Sequence, residues 1–100
     1  MKIHNVTGSS KVSANPPYPY TSWLKYWEGK AGCVLDPSKL YNCPACGKAF
    51  QRKNFDGCHV QKYGSIDRKW YIVPLCDSCN QSTGILEVDG NLLVPVPSNC

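Results

Sequence analysis

The sequence predicts a small α+β domain that is stabilised by a single zinc ion. Two Cys-x2-Cys pairs, Cys43 with Cys46 and Cys76 with Cys79, are separated by 29 residues, a pattern typical of structural zinc sites. Ile, Leu, Val and Phe supply only 21 of the 100 residues, so we expect the thin apolar core to need an additional cross-link. Strand-like and helix-like runs are both present, and both are short.

The seven cysteines favour metal binding over disulfides. The first eight residues lack the apolar run of a secretory signal, and no stretch approaches the roughly 18 apolar residues of a membrane span. We therefore expect a cytoplasmic protein without a membrane partner, in a reducing compartment where thiols persist. An odd number of cysteines also cannot form a complete set of disulfides within one chain.

Residues 1–42 are predicted to be an extension that precedes the zinc-binding domain. The first twenty residues include Gly-Ser and proline-rich segments and are expected to be irregular. Thr21 or Ser22 is suited to cap a short helix over residues 23–28, which one of the following glycines would end. The two tryptophans of this helix lie four residues apart, on one face, and are expected to dock on the zinc-binding domain.

Residues 43–84 are predicted to form the zinc-binding domain itself. The first cysteine pair lies in a tight turn, where Gly47 can adopt a left-handed backbone conformation. Two strands are expected over residues 57–62 and 69–73, because the second run is rich in aromatic and β-branched residues, and Pro74 would end it. The second cysteine pair is expected to open a helix of about two turns.

Residues 85–100 are predicted to form a C-terminal β-hairpin that packs on this domain. Residues 85–88 and 91–94 are largely apolar, and the Asp89-Gly90 sequence between them is typical of a two-residue primed turn. Because such turns match the twist of paired strands, we expect the two runs to pair with each other.

The four paired cysteines predict a closed metal site. Two intervening residues allow both sulfurs of a pair to bind one ion, and two pairs complete a tetrahedral shell with no open position for water. The ion is therefore expected to be structural Zn²⁺, whose binding contributes about 10–16 kcal/mol to the folding of zinc-finger peptides. A redox Cys-x2-Cys motif would need a thioredoxin-like βαβ pattern, which the sequence lacks. The remaining cysteines are Cys33, Cys58 and Cys100.

The order of these features resembles a treble clef, in which a cysteine knuckle, a β-hairpin and a second cysteine pair at the start of a helix follow one another. With His59 on the first hairpin strand, the stretch from Cys43 to about Ser82 is similar to the HNH, or His-Me finger, endonuclease superfamily. The motifs that carry the resemblance are Cys43-Pro-Ala-Cys46-Gly47, Phe55-Asp-Gly-Cys-His59-Val60 and Tyr71-Ile-Val-Pro-Leu-Cys76-Asp-Ser-Cys79-Asn80.

The resemblance implies a catalytic role for His59 and a second metal ion. In the family, the hairpin histidine is the general base that deprotonates a water molecule, a task that suits an imidazole near neutral pH. By position, Cys58 and Asn80 would bind a second, divalent cation that stabilises charge on the phosphate.

Departures from the family pattern leave simpler roles open for these residues. Cys58 stands where the family has an oxygen or imidazole ligand, and a thiol is a poor ligand for Mg²⁺. Asp56 would replace it only if the backbone bends at Gly57. His59 can equally pack within the hairpin, and Asn80 can cap the helix.

A mild basic patch is compatible with a nucleic-acid partner, DNA or RNA, and also with an ordinary solvated surface. The net charge is +4, and lysine and arginine side chains bind phosphates by releasing counterions. The leading hypothesis is an HNH-like domain that binds or acts on nucleic acid, with metal-dependent endonuclease activity weak or lost. A non-enzymatic zinc module that binds another protein, and a thiol switch in which oxidation releases zinc, stay open. The residues expected to contact nucleic acid are Arg52, Lys53, Lys62, Arg68 and Lys69.

Overall fold

Seven strands and two helices make up the computed structural model, which describes residues 1–6, 16–66 and 69–96. In the larger sheet the strand order is β6-β1-β4-β5-β7 and all neighbours are antiparallel, while β2 and β3 form a separate hairpin. In chain order the elements are β1 (Lys2–Asn5), α1 (Trp23–Ala31), β2 (Leu40–Asn42), β3 (Ala49–Gln51), β4 (Phe55–Lys62), β5 (Tyr71–Cys76), α2 (Asp77–Asn80), β6 (Leu86–Glu87) and β7 (Val94–Pro95). The α+β class predicted from the sequence is confirmed.

The larger sheet buries both of its faces over its centre. Side chains alternate along a strand, and Cys58 and Val60 of β4 lie in the main core together with Val73 of β5. Ile72 points to the opposite face and packs in a second cluster with Tyr26 and Trp27 of α1, among others. We call these the core face and the helix face of the sheet.

Helix α1 begins and ends at residues that suit its boundaries. The Ser22 hydroxyl accepts a hydrogen bond from Lys25 N (3.1 Å), and Gly32 ends the helix with φ +68°. The predicted cap at Ser22 is confirmed, but the helix runs to Ala31, beyond the predicted end at residue 28. None of the helices in the described ranges is long and apolar enough to cross a membrane.

The prediction that the first twenty residues are irregular is wrong for β1, which lies inside the sheet. Ile3 is fully buried, and β1 pairs with β4 on one side and with β6 on the other. This strand is only four residues long and buries a single aliphatic side chain, so its local pattern was too weak to predict it. Residues 7–15 of the same segment lie outside the described residues.

The prediction that Pro74 ends the second hairpin strand is also wrong, since β5 continues to Cys76. Val96 N donates to Trp70 O (2.9 Å), and Ile72 pairs with Val94. The N–H and C=O groups of every second residue from Trp70 onward therefore point toward β7 and away from β4. Pro74 belongs to this set and lies beyond the end of β7. Its missing N–H therefore costs no hydrogen bond to β4.

The predicted C-terminal hairpin does not form. β6 pairs with β1 and β7 pairs with β5, so the two strands lie at opposite edges of the sheet. A 3₁₀ turn over Gly90–Leu92, capped by the Asp89 carboxylate, replaces the two-residue turn. The indole of Trp27 donates to Leu92 O (2.7 Å), which attaches this turn to α1. Residues 97–100 of the predicted hairpin segment lie outside the described residues.

Candidate metal centre and the neighbouring pocket

The first cysteine pair lies in the connection between β2 and β3. Cys43 N donates to Lys48 O and Gly47 N donates to Cys43 O, both at 2.8 Å, which closes a tight turn around the sulfurs. Gly47 has φ +76°, the left-handed conformation that the sequence predicts.

The second pair lies where β5 passes into α2, and β1 supports it. Asn5 Nδ2 donates to Cys79 O and to Ser82 O, each at 2.9 Å, so this amide fixes the backbone on either side of the last cysteine ligand. Helix α2 has only four residues, fewer than the predicted two turns. The sequence offered no signal for the role of Asn5, because β1 itself was not predicted.

The four cysteine sulfurs lie close together and are positioned to hold a metal ion. All four Sγ atoms lie within 4.8 Å of one another, and the Sγ atoms of Cys46 and Cys76 are 3.8 Å apart. A tetrahedral ion with metal–sulfur bonds of about 2.3 Å requires sulfurs about 3.8 Å apart. The site therefore fits a tetrahedral ion without large movements of the chain.

The electrostatics of the cluster favour a cation. Burial raises the pKa of the Cys43 thiol, but backbone N–H donors, first that of Cys76, outweigh burial and lower this pKa to about 7. Burial, followed by hydrogen bonds to the neighbouring sulfurs, raises the pKa of Cys79. Four adjacent thiols cannot all ionise without a positive charge between them, and a bound cation supplies that charge.

A buried ion pair joins α1 to the segment that follows the knuckle. Glu28, only 5% exposed, accepts two hydrogen bonds from the Arg52 guanidinium (2.8 and 3.1 Å) and one from Leu35 N (2.7 Å). The Arg52 hydrogen bond lowers the pKa of Glu28. Arg52, which the sequence assigned to nucleic-acid contacts, is thus engaged within the protein.

An open pocket of about 270 Å³ adjoins the metal centre at the end of β1. It lies between the start of α1, the middle of β4 and the end of α2. Beyond Val6, whose N–H donates to His59 O, no described strand covers the edge of β4. The residues that line this pocket are Asn5, Val6, Trp23, Gly57, Cys58, His59 and Asn80.

His59, the predicted general base, lies on the helix face between two tryptophans. Its ring centroid is 4.7 Å from that of Trp23 and 5.9 Å from that of Trp70, both in edge-to-face geometry. Burial lowers its pKa below the ordinary 6.5, so the imidazole is neutral at pH 7.

The two residues predicted to bind a second metal ion also line the pocket, but their side chains have other partners. Cys58 is 3% exposed, its thiol donates to Asp56 O (3.3 Å), and burial raises its pKa, which keeps the thiol neutral. Asn80 Nδ2 donates to Asp56 Oδ2 (3.3 Å). Burial and the neighbouring Asp77 carboxylate raise the pKa of Asp56. Alternation along β4 directs the Cys58 side chain to the core face, opposite to that of His59, whereas Asp56 is exposed near the start of the strand.

The predicted basic patch is divided between the two ends of the β4–β5 hairpin. Lys53 is exposed just before β4, whereas Lys62 ends it, with Nζ 4.9 Å from the centroid of the Tyr71 ring. Strand β4 alone separates its two ends by roughly 23 Å, and Lys53 precedes it in a 3₁₀ turn over Arg52–Asn54. Lys69 is exposed near Lys62, and Arg68 lies outside the described residues.

Comparisons of this chain with protein-family models, with curated proteins and with solved structures find no match.

Proposed function

We propose that this chain is a zinc-stabilised, HNH-like module of the treble-clef type that binds nucleic acid and hydrolyses it slowly or not at all. The observation that carries the proposal is the four-cysteine cluster, in which a knuckle and a strand–helix junction flank the β4–β5 hairpin. The hairpin bears His59 at the position that the motif resemblance assigns to a general base.

Zinc is the ion that this ligand set favours. Soft thiolates in a tetrahedral arrangement select Zn²⁺ over Mg²⁺ and Ca²⁺, which prefer oxygen ligands. Cys43, Cys46, Cys76 and Cys79 would hold it, and with four sulfur ligands the ion cross-links the knuckle to α2 without activating water. Elemental analysis of purified protein should give one zinc per chain.

The need for zinc can be tested with a pair of serine variants. Cys43→Ser should lose zinc and the dispersed amide spectrum of the folded domain, because it removes a buried ligand. Cys33→Ser is the matched control, since Cys33 is exposed and outside the cluster. A Cys43→Ser protein that keeps both its zinc and its spectrum would refute the assignment.

Nucleic-acid binding should be weak, tolerant of sequence and strongly dependent on salt. Neutralising three or four phosphates gives a log–log slope of about −3 against salt concentration. Titration of fluorescent oligonucleotides at several salt concentrations measures this slope. An absence of binding at low salt would favour a module that binds another protein.

Hydrolysis supported by Mg²⁺ should be absent or very slow. A hard cation at the pocket would need oxygen ligands beside His59, whereas the Cys58 sulfur is buried and the Asn80 amide is bonded to Asp56. Any activity should prefer Mn²⁺, Co²⁺ or Ni²⁺. A plasmid-nicking assay over these metals, with His59→Ala as control, tests this. Rapid Mg²⁺-dependent cleavage that His59→Ala abolishes would contradict it.

A further inference from the structure

We propose that the helix face of the sheet, beside α1, is a stacking surface for single-stranded nucleic acid, whose phosphates contact lysines at one end of the sheet. This inference rests on the proposed function and names the type of strand and the residues that recognise it. The stacking surface, called the aromatic strip below, consists of His4, His59, Tyr63 and Trp70.

Strand alternation places the four rings on one face. Ile3, Cys58 and Val60 belong to the core, so their neighbours on β1 and β4, including His4 and His59, point to the helix face. The observed contacts agree with this placement. His59 meets the Trp70 ring at 5.9 Å, and His4 meets the Tyr63 ring at 6.4 Å.

The aromatic strip is accessible to a ligand and has a suitable length. Tyr63 is 48% exposed, and the other three rings are half-buried. From His59 to Tyr63 the strip extends about 13 Å along β4. This is room for two or three bases, the number that the sheet of an RNA-recognition motif stacks on its aromatic side chains.

The charge at the Tyr63 end of the strip suits a polyanion. Lys2 starts β1 and Lys62 ends the antiparallel β4, so both lie at this end, and Lys69 lies just before β5. The acidic Glu87, opposite Lys2, is paired with the N-terminal ammonium group (2.6 Å). Alternation places Lys2 on the helix face beside the strip, whereas Lys62, the partner of Ile3, starts on the core face, so a strand whose bases stack on the strip would bring its phosphates first to Lys2.

The geometry favours a single strand over a duplex. In a duplex the base faces are stacked on one another and cannot reach side chains on a sheet, whereas unpaired bases can stack on aromatic rings.

The test compares two exposed tyrosines. Anisotropy titrations of a labelled oligothymidylate, and of the duplex that it forms with its complement, would use zinc-loaded protein at low salt. Tyr63→Ala should weaken single-strand binding at least about fivefold, because stacking is lost. Tyr18→Ala is the matched control, since Tyr18 is 97% exposed outside the strip, and it should bind like the wild type. Circular dichroism verifies that both variants fold.

A second pair of variants tests the phosphate contacts. Lys2→Gln should reduce the salt slope of single-strand binding by about 0.7, whereas Lys39→Gln, at an exposed residue just before β2 and outside the predicted basic patch, should leave the slope unchanged. Equal affinities of Tyr63→Ala and Tyr18→Ala, or tighter binding of the duplex, would overturn the stacking surface but leave the proposed function intact. A wild-type protein that binds neither oligonucleotide would overturn both.

Discussion

Replacing Gly57 with alanine should displace the N-terminal end of α1 from the sheet. A Cβ atom at this position would lie 2.4 Å from Leu24 N and from the carbonyl carbon of Trp23. Both contacts are with backbone, which cannot turn away as a flexible side chain can. Because non-bonded carbon atoms pack at about 3.5–4.0 Å, the helix must retreat by about 1 Å.

The expected cost follows from this clash. Forcing an extra methyl group into a packed interface costs about 1–3 kcal/mol, and each kcal/mol lowers the Tm of a domain of this size by about 4–8 °C. We therefore expect zinc-loaded Gly57→Ala to melt at least about 4 °C below the wild type. Gly84→Ala is the control, because its new Cβ would lie 3.7 Å from Ser82 Oγ, an ordinary contact.

Thermal unfolding followed by circular dichroism measures this difference, and NMR reports on the pocket. When α1 retreats, Trp23 moves away from His59, and the pKa of the imidazole should rise toward its ordinary value of 6.5. If Gly57→Ala has the same Tm as the wild type and Gly84→Ala, the packing of α1 on β4 is not as close as described.

Three further predictions concern charged and buried groups. Arg52→Gln should cost about 3 kcal/mol in urea unfolding, because it leaves Glu28 as an unpaired buried charge, while Lys53→Gln should stay within about 0.5 kcal/mol. An effect of Arg52→Gln as small as that of Lys53→Gln would contradict this. In an NMR titration, the pKa of His59 in the wild type should lie below 6.5, since burial disfavours its charged form; a pKa above 6.5 would contradict this prediction. Cys58→Asp should destabilise the fold much more than Cys58→Ala, because it buries a carboxylate, and equal stabilities would exclude the buried position.

Local signals in the sequence were sufficient to predict the metal centre. The spacing of each cysteine pair fixes two sulfurs within one turn, and Gly47 and Ser22 act through residues within a few positions of themselves. Such features depend little on the rest of the chain, so the knuckle and the start of α1 were predictable.

Features that depend on distant partners were not predictable in this way. Asp89-Gly90 is a strong local signal for a hairpin, yet β6 pairs with β1, more than 80 residues earlier, and Val88 N extends that pairing by donating to Met1 O. Asn5 is a single polar residue in a short strand, and only the fold brings it to the backbone of Cys79. The sequence around Arg52 is typical of an exposed cation, and its ion-pair partner Glu28 belongs to a different element, α1.

The distribution of charge separates binding from hydrolysis in this molecule. Asp56 and Asp77 lie beside the pocket end of β4, whereas Lys2 and Lys62 lie at its other end. A phosphate therefore meets favourable charge roughly 10 to 13 Å from His59, and near His59 it meets two carboxylates unless a cation neutralises them. Asp56 is exposed and accepts a hydrogen bond from Asn80, which lines the same pocket as His59, so these carboxylates disfavour a phosphate at the pocket. Binding at the lysine end can thus proceed without cleavage, which is the combination that the proposed function requires.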